Sequence, residues 1–391
     1  MSRSTDPDHF FQTTHSLTET RRKTLKSKNK SGNPIRLPSK VLALIADPQD
    51  AGAVYVAESG GTARRLVLET GETSHLYRCP TNPTAPLTSL ALSPKNDTLF
   101  AGSWDKSIWS WDRQSCVRRK QYKGHTDFVK CVLCLSLKGI EILASGSADG
   151  SIIIWNVESG GRLFVLKTLG RGILDLAVDP ESLDYDTESE GDGHGEITIF
   201  SASSLGEIRR WALKKDLSAA MEIENDKPIT QHETSVYKLS FDTDGDLWTA
   251  SADTIIHCLS RHHSFAPSLT LSHSDYVRSI AIDEVGGYIV SAGRDEGVKV
   301  WDKGSGELKT VFEGHFEEVM SVVVVGRRAV SGGIDGTVRV WGLDVESLER
   351  AGKEAEDLGN GVEGEGEGEE NPFGIDEDEM RELEELMEDG E

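Results

Sequence analysis

The sequence predicts an all-β protein: a seven-bladed β-propeller with a basic N-terminal arm and a disordered acidic C-terminal tail. Three observations carry that prediction. Strand-like runs ending in Trp plus a polar or small residue recur, at Trp111-Asp112, Trp155-Asn156, Trp211-Ala212, Trp301-Asp302 and Trp341-Gly342. Their spacing falls on a single period once two irregular gaps are resolved. The charge of the 391-residue chain, −24 in all, sits mostly at its ends.

The charge draws the domain map. Residues 1–40 hold 9 basic and 3 acidic residues, and 344–391 hold 21 acidic and 3 basic ones. A further 8 acids and no base fall in 179–196. What remains is nearly balanced, as in an ordinary globular domain. The expected organisation is an arm over 1–32, a propeller over 33–343 with an insertion at 181–195 in blade four, and a tail over 344–391.

The successive Trp gaps are 44, 56, 90 and 40 residues. The second gap contains the acidic stretch, and removing about 14 residues restores the period. The third holds a worn repeat, SADTIIHCLS, with Leu259 at the Trp position. Upstream, GGTARRLVLETG aligns with DGSIIIWNVESG and places Leu66 there. Seven units of about 40–45 residues result, the blade length of one propeller class. Inside each unit, short β-branched runs with alternating polarity are divided by Gly/Asp turns, for example VRSIAI, YIVSAG and GVKVW. Such runs read as strands.

Several units are preceded by an X-His pair, at His125, His232, His273 and His315. The strings GH…SGSADGSIIIWN, SH…SAGRDEGVKVWD and GH…SGGIDGTVRVWG resemble WD-repeat β-propellers over roughly residues 34–343. The resemblance implies a hydrogen-bonded His, Ser/Thr, Asp and Trp inside each complete blade. The matching positions are His125, Ser145, Asp149, Trp155; His273, Ser291, Asp295, Trp301; and His315, Ser331, Asp335, Trp341. A buried indole N–H needs an acceptor, and a turn Asp beside a His satisfies several buried donors together. The same trio recurs three times, whereas an active site is normally built once, so these residues read as structural.

Blades one, two, four and five depart from the pattern. Blade one has no His, Asp or Trp, and blade two has Ala101 at the Ser position. Blade four has Leu205 at the Asp position, and blade five keeps His232, Thr249 and Asp253 without the Trp. Blades one and four are expected to be the looser ones. Blade seven lacks an outer strand, because the helix-like DVESLERAGKEAEDLG follows Trp341. Asn33–Leu37 is the favoured N-terminal donor of that strand, with 9–12 as the alternative.

No signal for chemistry stands out. Cys131-x-x-Cys134 has metal-like spacing, but residues three apart on a strand point to opposite faces. His262-His263 reads as an exposed loop pair. Phosphate-loop, nucleophile-elbow and HExxH motifs do not occur. The expectation is therefore a non-enzyme with no cofactor, no metal and no small-molecule substrate. The five cysteines are odd in number and unevenly spaced, which fits a reducing, intracellular setting, nuclear or cytoplasmic. No apolar run approaches the roughly 18 residues of a membrane helix. Nucleic-acid binding is not expected of an acidic body without a basic stripe.

The rim of the central channel is the expected interaction surface, binding proteins or peptides. Its candidates at the starts of inner strands are Phe128, Lys130, Tyr237, Tyr276, Arg278, Glu318 and Met320. Just before the turn Asp, they are Trp104, Arg294 and Ile334, with Ala148 and Ala252 at the same register. Trp, Tyr and Arg dominate binding hot spots. In the tail, 358–371 is Gly/Glu low complexity. An amphipathic helix is expected near 376–388, with Met380, Leu383, Leu386 and Met387 on one face and a basic partner as its target. The basic run 21–30 reads as a disordered solvated arm, or as a nuclear-import or polyanion-contact segment. The functional expectation is a non-catalytic scaffold that assembles a multiprotein complex through rim and tail. The alternative is a ubiquitin-ligase substrate receptor, although the Trp-Asp-x-Arg pattern is missing at Trp111–Gln114 and Trp301–Gly304.

Overall fold

Alternating β-branched and small polar residues, broken by Gly- and Asp-rich turns, fold into seven four-stranded antiparallel sheets. The computed structural model describes residues 20, 22–24, 26–80, 84–95, 97–168, 171–183, 196–223 and 227–353. The innermost strands run Val41–Ala46, Leu87–Leu92, Val129–Leu137, Ile173–Val178, Val236–Phe241, Val277–Asp283 and Val319–Val325. Each packs against the innermost strand of the next sheet, and the last packs against the first. The result is a closed ring of seven blades around a channel. Radial repetition leaves only the short outer strand of each blade as an outward edge.

Blade seven is completed from the N-terminus. Its strand Thr337–Gly342 pairs with Ile35–Arg36, through Ile35 opposite Val338 and Arg36 opposite Thr337. Of the two candidate donors, Asn33–Leu37 supplies the strand. Just upstream, the Asn29 and Ser31 carbonyls accept hydrogen bonds from the buried Arg339 guanidinium. The chain leaves blade seven as a helix over 345–353, whose Leu348 and Ala351 pack on the core around Trp341.

One register feature repeats in all seven blades. The pairing of first and second strands slips at Val41/Ala43, Leu87/Ser89, Val129/Cys131, Ile173/Asp175, Val236/Lys238, Val277/Ser279 and Val319/Ser321. A bulge inserts an unpaired residue and re-aims its side chain. Opposite each bulge stands Gly or Ala, as at Gly102, Gly146 and Gly332. A Cβ at Gly146 would meet Ile173 of the next blade at 2.5 Å, so the small residue is what lets neighbouring blades approach.

The seams between blades are matched by type. Asp47 at the end of one inner strand pairs with Arg113 of the next blade at 2.8 Å, Asp179 with Arg261, and Asp242 with Lys303 at 3.1 Å. In the same register, Leu135 shares an apolar cluster with Leu213, and Val325 shares one with Leu68. Asp283 departs from the scheme: Arg327 reaches it at 3.1 Å and donates to the Leu343 carbonyl at 2.6 Å.

Cys131 and Cys134 lie in two different cores, on opposite faces of one strand. The blade-four insertion begins between its first two strands. Its first residues are not loop: Pro180–Leu183 is a helical turn, and the Ser182 hydroxyl donates to the Asp179 carbonyl at 2.7 Å and accepts from the Thr198 N–H at 3.1 Å. Residues 184–195 lie outside the described residues, as do 1–19 and the tail positions Met380, Leu383, Leu386 and Met387 with the expected helix over 376–388.

Candidate functional site at the channel rim

Each complete blade contains the polar chain that the resemblance implies. In blade three the Trp155 indole donates to Ser145 at 2.9 Å, and His125 bridges Ser145 at 2.8 Å and Asp149 at 3.1 Å. Blade six repeats this with Trp301, Ser291, His273 and Asp295, and blade seven with Trp341, Ser331, His315 and Asp335. A neutral ring donating from Nδ1 and accepting at Nε2 completes the run of bonds from indole to carboxylate. Burial pushes the His125 and His273 imidazoles below their ordinary value, which favours that neutral form. Burial alone would raise the Asp149 carboxyl, but hydrogen bonds from Ser151 and Thr126 hold it low. Enclosed in this way, the Ser-His-Asp sets are braces between strand and turn.

The incomplete blades find other solutions. In blade two Asp105 accepts from Trp109 at 2.8 Å, an indole that the period does not single out. Blade four keeps the Trp211 to Ser201 bond at 2.8 Å despite Leu205. Blade one buries Glu58, which accepts from Thr62, Arg64 and Ser39. These contacts replace the missing set, and the expected looseness of blades one and four finds no support in them.

The two groups of rim candidates form one structure. The backbone N–H just before the turn Asp bonds the carbonyl at the start of the inner strand: Ala148 to Phe128, Arg294 to Tyr276, Ile334 to Glu318 and Trp104 to Pro86. The bulges then place one side chain per blade on the channel wall. These seven are Leu42, Thr88, Lys130, Leu174, Tyr237, Arg278 and Met320, around a channel of about 980 Å3. Spacing alone singles out four of them. Leu42, Thr88 and Leu174 were missed, although the Gly or Ala opposite each bulge was a usable signal.

Around the mouth the side chains interlock. Trp104 stacks on Phe128 with ring centroids 5.0 Å apart, and the Lys130 ammonium lies 5.8 Å from both rings. The Arg278 guanidinium sits 4.0 Å from the Tyr237 ring centre and pairs with Glu318. Arg294 lies over Tyr276 at 5.4 Å. Ile334 is half-buried and does not reach the channel wall. Among the described residues, the large exposed aromatic side chains are Trp104 at 42%, Tyr276 at 38% and Phe128 at 36%, and all three stand on this rim.

Similarity to known proteins agrees with this geometry. Residues 73–112, 115–156, 265–302 and 306–342 match the family described as WD domain, G-beta repeat. This is a WD-repeat β-propeller. The four matched segments end at Trp111-Asp112, Trp155-Asn156, Trp301-Asp302 and Trp341-Gly342, so the blades that lost the Trp or took the insertion fall outside the match. An uncharacterised WD repeat-containing protein of Schizosaccharomyces pombe is 29% identical over 87% of this chain and 89% of its own length. Telomerase protein component 1 of Mus musculus is 27% identical over 68% of this chain, which spans 10% of that protein. Transducin beta-like protein 3 of Bos taurus is 24% identical over 62% of this chain and 30% of its own length. WD-repeat proteins are in general protein-interaction scaffolds. No helix among the described residues of this propeller is long and apolar enough to cross a membrane.

Within the basic arm, three of the described cations pair with carboxylates of the ring. Arg22 grips Glu296 through two 2.7 Å bonds, Lys26 reaches the same carboxylate at 2.9 Å, and Lys23 pairs with Glu317 at 3.0 Å. These three cations are paired with the propeller, while Lys28 and Lys30 of the same run are exposed.

Proposed function

We propose that this propeller is a non-catalytic intracellular scaffold that holds protein partners on the rim carrying Trp104, Phe128, Tyr237, Tyr276, Arg278 and Arg294. The observation that carries the reading is the confinement of exposed large aromatics to one end of the ring. Exposed aromatic and Arg side chains on a rigid frame lose little entropy on binding and cluster at hot spots. The acidic tail is a second contact in this reading, its 376–388 face meeting a basic, grooved partner.

The ligase-receptor alternative gains no support from the geometry. Arg113 and Lys303, which follow the Trp-Asp pairs, are spent on seams between blades.

The test is affinity purification with mass spectrometry of the full chain and of Trp104→Ala with Arg294→Ala. Both side chains are exposed, so the double variant should melt near the parent temperature and lose its main partners. A folded double variant with an unchanged partner list would place the interaction elsewhere.

A further inference from the structure

At the channel mouth one cation, Lys130, has no ion-pair partner among the described residues. Of the seven bulged side chains on the channel wall, two are cationic, Lys130 and Arg278, and none is acidic. They face the channel from blades three and six, and Arg278 is near enough to disfavour the charge on Lys130. Arg278 is clamped between the Tyr237 ring and Glu318. Among the described residues, Lys130 has no carboxylate or hydrogen-bond partner; its ammonium sits against the Trp104 and Phe128 rings. Burial holds it below the usual lysine range, opposed by Asp127 and reinforced by Arg278. Deeper in the channel the other lysine, Lys238, is matched by Asp175 at 3.0 Å. A half-buried cation without a counter-ion, beside a second cation and a stacked exposed aromatic pair, is an arrangement that an anion with an apolar neighbour would complete.

We propose that the channel mouth binds an acidic peptide segment, with one carboxylate between Lys130 and Arg278 and an adjacent large apolar side chain on the Trp104–Phe128 pair. This rests on the rim reading and adds the chemistry of the partner. Bridging carboxylate hydrogen bonds would relieve the repulsion between the two cations, and the aromatic pair would exclude water from them. The carboxylate is supplied by an Asp or Glu side chain or by a chain terminus, and the experiment below separates the two.

Trp104 gives a direct readout, because it is the exposed tryptophan among eight, the other seven being buried. The probe is a synthetic peptide with both ends blocked, of the sequence NPFGIDEDEM found at 371–380. Titrated into the full chain, it should change Trp104 emission saturably and shield it from iodide quenching. Trp104→Phe should abolish the signal. Replacing the four acids of the peptide by amides, or Lys130 by Gln in the protein, should weaken binding about tenfold or more. A version with those amides and a free C-terminal carboxylate should recover affinity only if a terminus is what the site reads. Equal affinity of the acidic and fully amidated peptides, no effect of Lys130→Gln on a normally folded protein, or no saturable change would overturn the proposal. If the peptide fails while Trp104→Ala with Arg294→Ala still strips partners, the rim reading survives and the acidic chemistry falls. If the peptide binds and the double variant strips nothing, the site exists but the rim reading fails.

Discussion

Asp335 and Asp253 occupy the same position in blades seven and five but serve different networks. The Asp335 side chain is fully buried and accepts from His315, from the Thr337 hydroxyl and from the Thr337 N–H. Asp253 accepts from His232, Glu233 and Ile255, and no indole stands at the far end of its set. We expect Asp335→Ala to cost about 2–4 kcal/mol and Asp253→Ala less, since the first strands more buried donors. Equal shifts in melting temperature would contradict the ranking. The same sets predict the acid response. His125 and His273 are held below 6.5, so the unfolded chain takes up protons first and stability is lost as pH falls below about 6.5. The carboxyls of Asp149, Asp295 and Asp335 lie below 3.8, and that of Asp253 at about 2, so a second loss begins under pH 3.8. Melting temperature measured from pH 8 to 3 should be flat above about 7 and decline in those two windows. A rise on acidification from 7 to 5 would contradict this account. The three complete sets were readable because each repeats in one register along the chain. The Trp109 to Asp105 bond was not, because it breaks that register.

Whole strands and their neighbours show a second kind of logic. At five of the seven seams Asp stands against Arg or Lys, or Leu or Val against Leu, so the two members of those pairs agree in type. At the blade four–five seam, Arg261 grips both oxygens of Asp179 and both side chains are mostly buried. Asp179→Leu alone should cost about 2–4 kcal/mol, because it strips a mostly buried guanidinium of its two bonds to Asp179 and leaves it Glu181 and the Gly245 carbonyl. Adding Arg261→Leu should recover most of that loss by making the seam resemble Leu135 with Leu213. Additive losses in chemical denaturation would contradict the pairing. These contacts join residues 82 positions apart and have no local signature, so period analysis could not find them. The bulges were hidden for a related reason: alternation marks a strand but does not say where its register slips.

Across the molecule, the period and the Trp positions were enough for the ring of seven, because each blade repeats one local pattern. Ring closure by Ile35–Arg36 was legible from the strand missing after Trp341. The docking of Arg22, Lys23 and Lys26 was not, since a basic run looks alike whether solvated or paired. The proposed partner surface is the end of the ring that carries the turn Asp loops and the bulged residues. Hydrogen–deuterium exchange of the full chain, free and with its purified partner, tests that placement most directly. Protection should appear in the backbone around 102–106, 126–130, 274–278 and 292–296, with little change at the opposite turns around 47–52, 137–140 and 283–287. Protection confined to the opposite turns or to the outer strands, with the rim loops unchanged, would contradict it.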